Sequence, residues 1–149
     1  MTIIRIYDSK QNRVLSVEKI QKSDAEWKKM LTQKQYEITA KKRTEAPGTC
    51  PFDNVHEPCI FRCVRCGTDL FRSSTKFESA TGWPSFYEPI SPLNVVEQYD
   101  RSLEMVRTEV LCARCDSHLG HVFDDGPPPT GKRYCMNGFA LRFAPEGKL

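Results

Sequence analysis

The sequence predicts a small, mainly antiparallel β fold with short helices near its N-terminus, and three observations predict it. Beyond residue 58 the apolar residues come in short β-prone runs separated by turn residues, the pattern of short strands joined by turns. Two Cys-x-x-Cys turns, Cys63/Cys66 and Cys112/Cys115, each follow such a run, so paired strands can bring both turns to one place. Before them stand two capping boxes in succession, Ser23-Asp24-Ala25-Glu26 and Thr32-Gln33-Lys34-Gln35, each a Ser or Thr followed three residues later by Glu or Gln.

A chain of 149 residues suits one domain with a modest core. At 39% hydrophobic residues, with no apolar run long enough to span a bilayer and no signal-peptide core at the N-terminus, a soluble, cytoplasmic protein is expected. The net charge of +3 is uneven: residues 1–46 carry 11 Lys/Arg against 6 Asp/Glu, and the remainder carries 11 against 13. The basic run Lys41-Lys42-Arg43 reads as a solvated helix end with cations at its negative pole. No basic stripe with interleaved aromatics points to nucleic acid, and nothing points to a membrane. Seven cysteines in such a chain argue against a disulfide framework and for metal binding or thiol chemistry.

The elements follow in order. Residues 3–7 and 13–17 flank the polar stretch Asp8–Asn12 and predict a β-hairpin, an N-terminal extension over residues 1–21. The two capping boxes start helices over 24–31 and 33–40, with Trp27 and Tyr36 turned to the core. Residues 45–58, punctuated by Pro47, Gly48, Pro51 and Pro58, read as a loop that carries Cys50 and His56. A strand over 60–63 enters the first Cys-x-x-Cys turn, and residues 70–72 leave it. Pro84 forbids helix and holds Trp83 extended, so a loop presents Trp83 and Phe86, either to a ligand or to the core. Residues 93–98 and 103–112 read as strands joined by a turn at Asp100-Arg101-Ser102; the second alternates Leu103, Met105, Arg107, Glu109, Leu111. A last strand covers 139–143, and the tail from Ala144 should be loose.

Chemistry concentrates between His118 and Asn137. If Arg133-Tyr134-Cys135-Met136-Asn137 is a strand, Arg133, Cys135 and Asn137 share one face and Tyr134 and Met136 the other. A thiol flanked by a guanidinium and an amide has the makings of a nucleophile, with a cation to favour its thiolate; an inert buried cysteine is the other reading of the same strand. The thiols of Cys63, Cys66, Cys112 and Cys115 match the closed tetrahedral pattern of one structural zinc. Cys112, Cys115, His118 and His121 recur every third residue and would make a local Cys₂His₂ site, but that leaves Cys63 and Cys66 unexplained. An iron–sulfur cluster also fits the ligand type.

The ordered string resembles the type B methionine sulfoxide reductase family over about residues 22–144. Its pieces are Glu26-Trp27-Lys28-Lys29 with Leu31-Thr32, Thr44-Glu45, the first Cys-x-x-Cys, Gly82-Trp83-Pro84-Ser85-Phe86, the second Cys-x-x-Cys, His118-Leu119-Gly120-His121-Val122-Phe123, Asp125-Gly126-Pro127, and Pro129-Thr130-Gly131 running into Arg133-Tyr134-Cys135. The resemblance implies two small antiparallel sheets packed together, with short N-terminal helices and a structural zinc site, as a single domain over residues 22–149. It implies reduction of methionine-R-sulfoxide, free or in oxidised proteins, with a thioredoxin-like protein as reductant, and a monomer is expected. Cys135 would be the nucleophile, Trp83 and Phe86 would line the substrate pocket, and His118, His121, Asn137 and Arg133 would surround the reacting centre. Residue chemistry agrees: sulfoxide oxygen leaves only when protonated, imidazole donates near neutral pH, and an indole offers the S-methyl group a flat apolar wall.

The sequence departs from the family at two places. Common members carry a resolving cysteine just before Gly-Trp-Pro-Ser-Phe, where this chain has Thr81. The sulfenic acid left on Cys135 then needs another thiol: Cys50 in the loop is favoured, Cys59 comes second, and an external thiol stays open. Gly138 stands where Ser often follows Asn137, which loosens the aim of that amide. Two other classes compete. A zinc-ribbon-type binding module without catalysis explains the four thiols but not the Trp83 loop. A thioredoxin-like oxidoreductase needs a Cys-x-x-Cys at a helix start within a βαβ pattern, which the sequence lacks.

Overall fold

The computed structural model describes residues 2–41, 58–79, 81–100 and 107–145. Its strands are β1 (Ile3–Asp8), β2 (Arg13–Glu18), β3 (Cys59–Cys63), β4 (Asp69–Arg72), β5 (Lys76–Phe77), β6 (Ser85–Phe86), β7 (Val95–Asp100), β8 (Arg107–Cys112), β9 (His118–Phe123), β10 (Arg133–Met136) and β11 (Leu141–Pro145). Two helices, α1 (Asp24–Met30) and α2 (Gln33–Lys41), lie between β2 and β3.

Both helices begin where side chains take up their free backbone N–H groups. At α1 the Ser23 side chain accepts from Glu26 N–H at 3.2 Å while Glu26 accepts from Ser23 N–H at 3.2 Å. At α2 Thr32 and Gln35 repeat the exchange at 3.2 and 2.9 Å. Trp27 and Tyr36 are buried, and the Arg65 guanidinium lies 4.7 Å from the Trp27 ring centre.

β1 and β2 pair as a hairpin. It is stitched to both cysteine turns: Ser9 N–H donates to Asp69 at 2.8 Å beyond the first, and Ile20 N–H donates to Arg114 O at 2.8 Å within the second. Buried Asn94 completes the seam, accepting from Tyr7 N–H at 2.8 Å and donating to Tyr7 O and Asp69 O.

The other strands form a six-stranded antiparallel sheet, in the order β5-β6-β10-β9-β8-β7, and a three-stranded one, β11-β3-β4. Aromatic rings join them. Phe71 of β4 stacks on Phe86 of β6 at 4.4 Å, Phe61 of β3 meets Phe86 edge-on at 5.3 Å, and Phe71 approaches Tyr134 of β10 at 5.8 Å.

Several boundaries differ from the sequence expectation for local reasons. Ser91 caps a short 3₁₀ turn, Pro92–Asn94, so the strand expected from residue 93 starts at Val95. A second 3₁₀ turn, Gly138–Ala140, delays the last strand to Leu141. The central strand β9 was not anticipated. It is almost wholly buried, and Gly120 within it lets β10 close in: a Cβ there would sit 2.2 Å from the Cys135 carbonyl oxygen. The 45–57 stretch with Cys50 and His56, the Lys42-Arg43 pair, residues 101–106 and the tail from residue 146 lie outside the described residues.

Candidate active site and metal centre

Four thiols converge at the ends of β3 and β8. The sulfurs of Cys63, Cys66, Cys112 and Cys115 all lie within 4.8 Å of one another. The Cys63–Cys115 and Cys66–Cys112 sulfurs are 3.6 Å apart. Four sulfurs around a tetrahedral zinc at ~2.3 Å would stand about 3.8 Å apart, so the cluster has the size of a Cys₄ metal site. Cys63, Cys112 and Cys115 are buried, and burial pushes the Cys63 thiol well above its usual range while hydrogen bonds from neighbouring sulfurs draw Cys66 down. Such a set ionises fully only around a cation. Neither His118 nor His121 belongs to it among the described residues. Both Cys-x-x-Cys pairs sit in turns after antiparallel strands rather than at helix starts, so the geometry of a thioredoxin-type redox motif is absent there.

A second site lies on the six-stranded sheet. One rung of paired residues crosses all six strands: Phe77, Ser85, Cys135, His121, Glu109 and Gln98 stand directly opposite one another in turn. Directly opposed residues share a face, so Cys135 stands between Ser85 and His121. The next rung runs through Phe86, Tyr134 and Val122 and turns to the core. That explains Phe86: the sequence placed it at the substrate pocket, but it shares the Tyr134 face, is fully buried and packs on Phe71.

A cavity of about 250 Å³ opens above the chemical rung. Trp83 and Phe123 give it apolar wall; Thr81, His121, Arg107, Arg133 and Asn137 give it polar groups, and the half-buried Cys135 lies among them. Burial pushes the Cys135 thiol above its ordinary value, while the Arg133 charge and hydrogen bonds with Thr81, Ser85 and Arg133 pull it back. Arg133 is held in place by Asp125, which accepts from Nε at 2.9 Å and from a terminal nitrogen at 3.2 Å. Its guanidinium also lies 4.4 Å from the Phe123 ring centre. Asn137 Nδ2 donates to Leu119 O at 3.2 Å, and its backbone N–H donates to the same oxygen at 2.8 Å, which ties the amide to β9 despite Gly138.

The two histidines take different places. His121 lines the cavity. His118 does not; it is fully buried behind it, its ring 5.5 Å from that of His121 and its Nδ1 2.6 Å from Glu109 Oε2. The register shift between Val110 and Leu111 accompanies this placement. Gln98 Nε2 donates to the other Glu109 oxygen at 3.2 Å. Cys59 is fully buried in the three-stranded sheet, opposite Pro145. Cys50 lies outside the described residues.

Sequence reasoning missed Arg107, Glu109, Phe123 and the hydroxyls of Ser79 and Ser85. A signal was available for the first two: in the alternation Leu103, Met105, Arg107, Glu109, Leu111, a cation and a carboxylate interrupt an apolar face. Thr81 was noted only as a missing cysteine.

Comparison with known proteins agrees with this chemistry. Residues 31–145 match the SelR domain family. The peptide methionine sulfoxide reductase MsrB of Herminiimonas arsenicoxydans is 52% identical over 126 residues, covering 85% of this chain and 92% of that one. The MsrB of Methanosarcina barkeri is 52% identical over 127 residues, covering 85% and 89%. The chloroplastic peptide methionine sulfoxide reductase B1 of rice is 58% identical over 121 residues, covering 80% of this chain and 56% of that longer one.

Proposed function

The chain belongs to the type B peptide methionine sulfoxide reductase family and reduces methionine-R-sulfoxide to methionine; on that premise we propose how its own residues carry the reaction. The substrate's S-methyl group lies against Trp83, with Phe123 completing an apolar wall. The Cys135 thiolate attacks the sulfoxide sulfur. His121 delivers a proton to the sulfoxide oxygen, which makes it able to leave sulfur. The oxygen passes to Cys135, methionine departs reduced by two electrons, and Cys135 is oxidised to the sulfenic acid. Arg133, clamped by Asp125, holds positive charge beside the reacting sulfur. Asn137 faces the same space, and His118 acts from behind, holding Glu109 against the His121 strand. The observation that carries this reading is the rung that sets Cys135 beside His121 in a cavity walled by Trp83.

The sulfenic acid is then resolved by Cys50: its thiol attacks the Cys135 sulfur, water leaves, and a disulfide forms that a thioredoxin-like protein reduces. Burial of Cys59 within the core supports Cys50 over it, because Cys59 would have to leave a packed sheet to react. Cys63, Cys66, Cys112 and Cys115 would hold one zinc, which would tie the ends of β3 and β8 together as a structural site. We read residues 22–149 as the single catalytic domain, acting as a monomer in the cytoplasm. Among the described residues no helix is long and apolar enough to cross a membrane. A cavity at the surface suits methionine sulfoxide side chains on damaged proteins as well as the free amino acid. A zinc-ribbon-type binding module would have no use for the Cys135 cavity.

The test is a single turnover: fully reduced protein, excess R-epimer and no external reductant, with methionine counted and disulfides mapped. A Cys50–Cys135 bond that disappears in Cys50→Ser supports the scheme. A Cys59–Cys135 bond, or a persistent sulfenic acid in the unaltered protein, would overturn Cys50 as the resolver.

A further inference from the structure

Beside the reacting sulfur lies a cluster of three hydroxyls that the scheme above does not use. Ser79 Oγ is 2.7 Å from Thr81 Oγ1 and 2.8 Å from Ser85 Oγ. Thr81 lines the same cavity as Cys135, and the hydroxyls of Thr81 and Ser85 both favour its thiolate. Ser85 is fully buried and stands opposite Cys135 in the β6–β10 pairing.

Counting protons restricts what these groups can do. Each hydroxyl has one proton to give and two lone pairs with which to accept. Backbone N–H groups already give to two of the oxygens, Thr81 N–H to Ser79 Oγ at 3.4 Å and Trp83 N–H to Thr81 Oγ1 at 3.3 Å. When Cys135 is a thiolate it only accepts, and three protons cover both short Ser79 contacts and one bond to sulfur: Ser85 gives to Ser79, Ser79 gives to Thr81, and Thr81 gives to the sulfur. When Cys135 is neutral the chain can run the other way: Thr81 gives to Ser79, Ser79 gives to Ser85, and Ser85 gives to the Trp83 carbonyl oxygen 3.2 Å away. The cluster therefore has two satisfied arrangements, one for each charge state of the sulfur, reached by hydroxyl rotation alone. That is a low-reorganisation way to receive a buried anion.

The charged groups around the sulfur leave room for such a contribution. Arg133 on the same strand is the cation against it, and its charge is shared with Asp125. His121 faces it from β9 with Glu109 beyond, and Arg107 lines the cavity from β8.

We propose that Ser79, Thr81 and Ser85 form a switchable donor cluster for the Cys135 thiolate, in which Thr81 donates to the sulfur, Ser85 stands at the far end of the chain, and Ser79 is the positioning residue that links the two. The position that holds a resolving thiol in commoner relatives supplies a proton donor in this chain. The inference rests on Cys135 being the nucleophile, but its test needs no turnover.

The test is the pH dependence of iodoacetamide alkylation of Cys135, read peptide by peptide in the zinc-loaded full chain. Thr81→Val should raise the midpoint by about one pH unit and slow alkylation at neutral pH about 10-fold. Ser79→Ala should act in the same direction by about 3-fold, and Thr81→Ser should restore the profile of the unaltered protein. Profiles of Thr81→Val and Ser79→Ala that match the unaltered protein would overturn the proposal, as would a Thr81→Val shift that Thr81→Ser shares. Should Ser79→Ala lose zinc or fold, the Thr81 pair decides alone. Failure of the nucleophile assignment would show separately, as turnover by Cys135→Ser.

Discussion

Two cysteine environments in one chain show how surroundings decide what a thiol does. The four at the ends of β3 and β8 sit in tight turns, in pairs, with their sulfurs all within 4.8 Å of one another. Cys135 sits alone in the middle of β10, half-buried, with a guanidinium, two hydroxyls and an imidazole-bearing strand around it. A Cys-x-x-Cys turn brings two sulfurs to one point, and two such turns make a closed shell that only a cation can neutralise. A single cysteine on a strand has one open side, and its ionisation is left to whatever donors share its face. The first arrangement fixes structure; the second exposes a nucleophile.

The contrast can be broken most severely at the cluster. Cys115→Ser, or a strong chelator acting on the unaltered protein, should release zinc and unfold the chain, because a structural zinc contributes on the order of 10 kcal/mol of folding free energy. Circular dichroism and activity should then be lost together.

Gly120→Ala attacks the other side. Its Cβ would meet the Cys135 carbonyl oxygen at 2.2 Å, so β10 must move. A loss of about 2 kcal/mol in denaturant unfolding is expected. Turnover should fall by more than the stability loss accounts for, with zinc still bound.

A gentler probe is pH. Burial favours the neutral Cys135 thiol against the pull of Arg133, Thr81 and Ser85, and holds its pKa above the ordinary value. The thiolate fraction at neutral pH is therefore small and rises with pH. Alkylation of Cys135, which needs the thiolate and no proton donor, should climb about tenfold per pH unit below that pKa and level off above it, while single-turnover methionine formation, which also needs a protonated donor, should fall in the alkaline range.

The smallest effect is expected at Lys132, next to Arg133. Its ion pair with Asp124 is exposed at both ends, with side-chain exposures of 46% and 86%. Lys132→Ala should change stability by less than about 0.5 kcal/mol and leave turnover as it was.

What could be read from the sequence was what lies close along the chain. The capping boxes of α1 and α2, the two Cys-x-x-Cys turns and the alternation around Cys135 each span only a few residues, and the physics that fixes them is equally local. The chemical rung was not legible, because it depends on the register of strands far apart in sequence: Ser85, Glu109, His121 and Cys135 meet only after pairing. Phe86 was misplaced for the same reason, since its face is set by opposing Tyr134 rather than by the proline beside it. His118 and His121 looked equivalent in sequence, yet only one reaches the cavity. Ser79 carried no sequence signal; its importance lies in two oxygen–oxygen distances.

The separation of the two cysteine roles is tested most directly by Cys135→Ser, measured for zinc content and for methionine released from the R-epimer in a single turnover. The account predicts one zinc per chain, an unchanged fold and no methionine. Methionine released by that variant, or loss of its zinc, would contradict it.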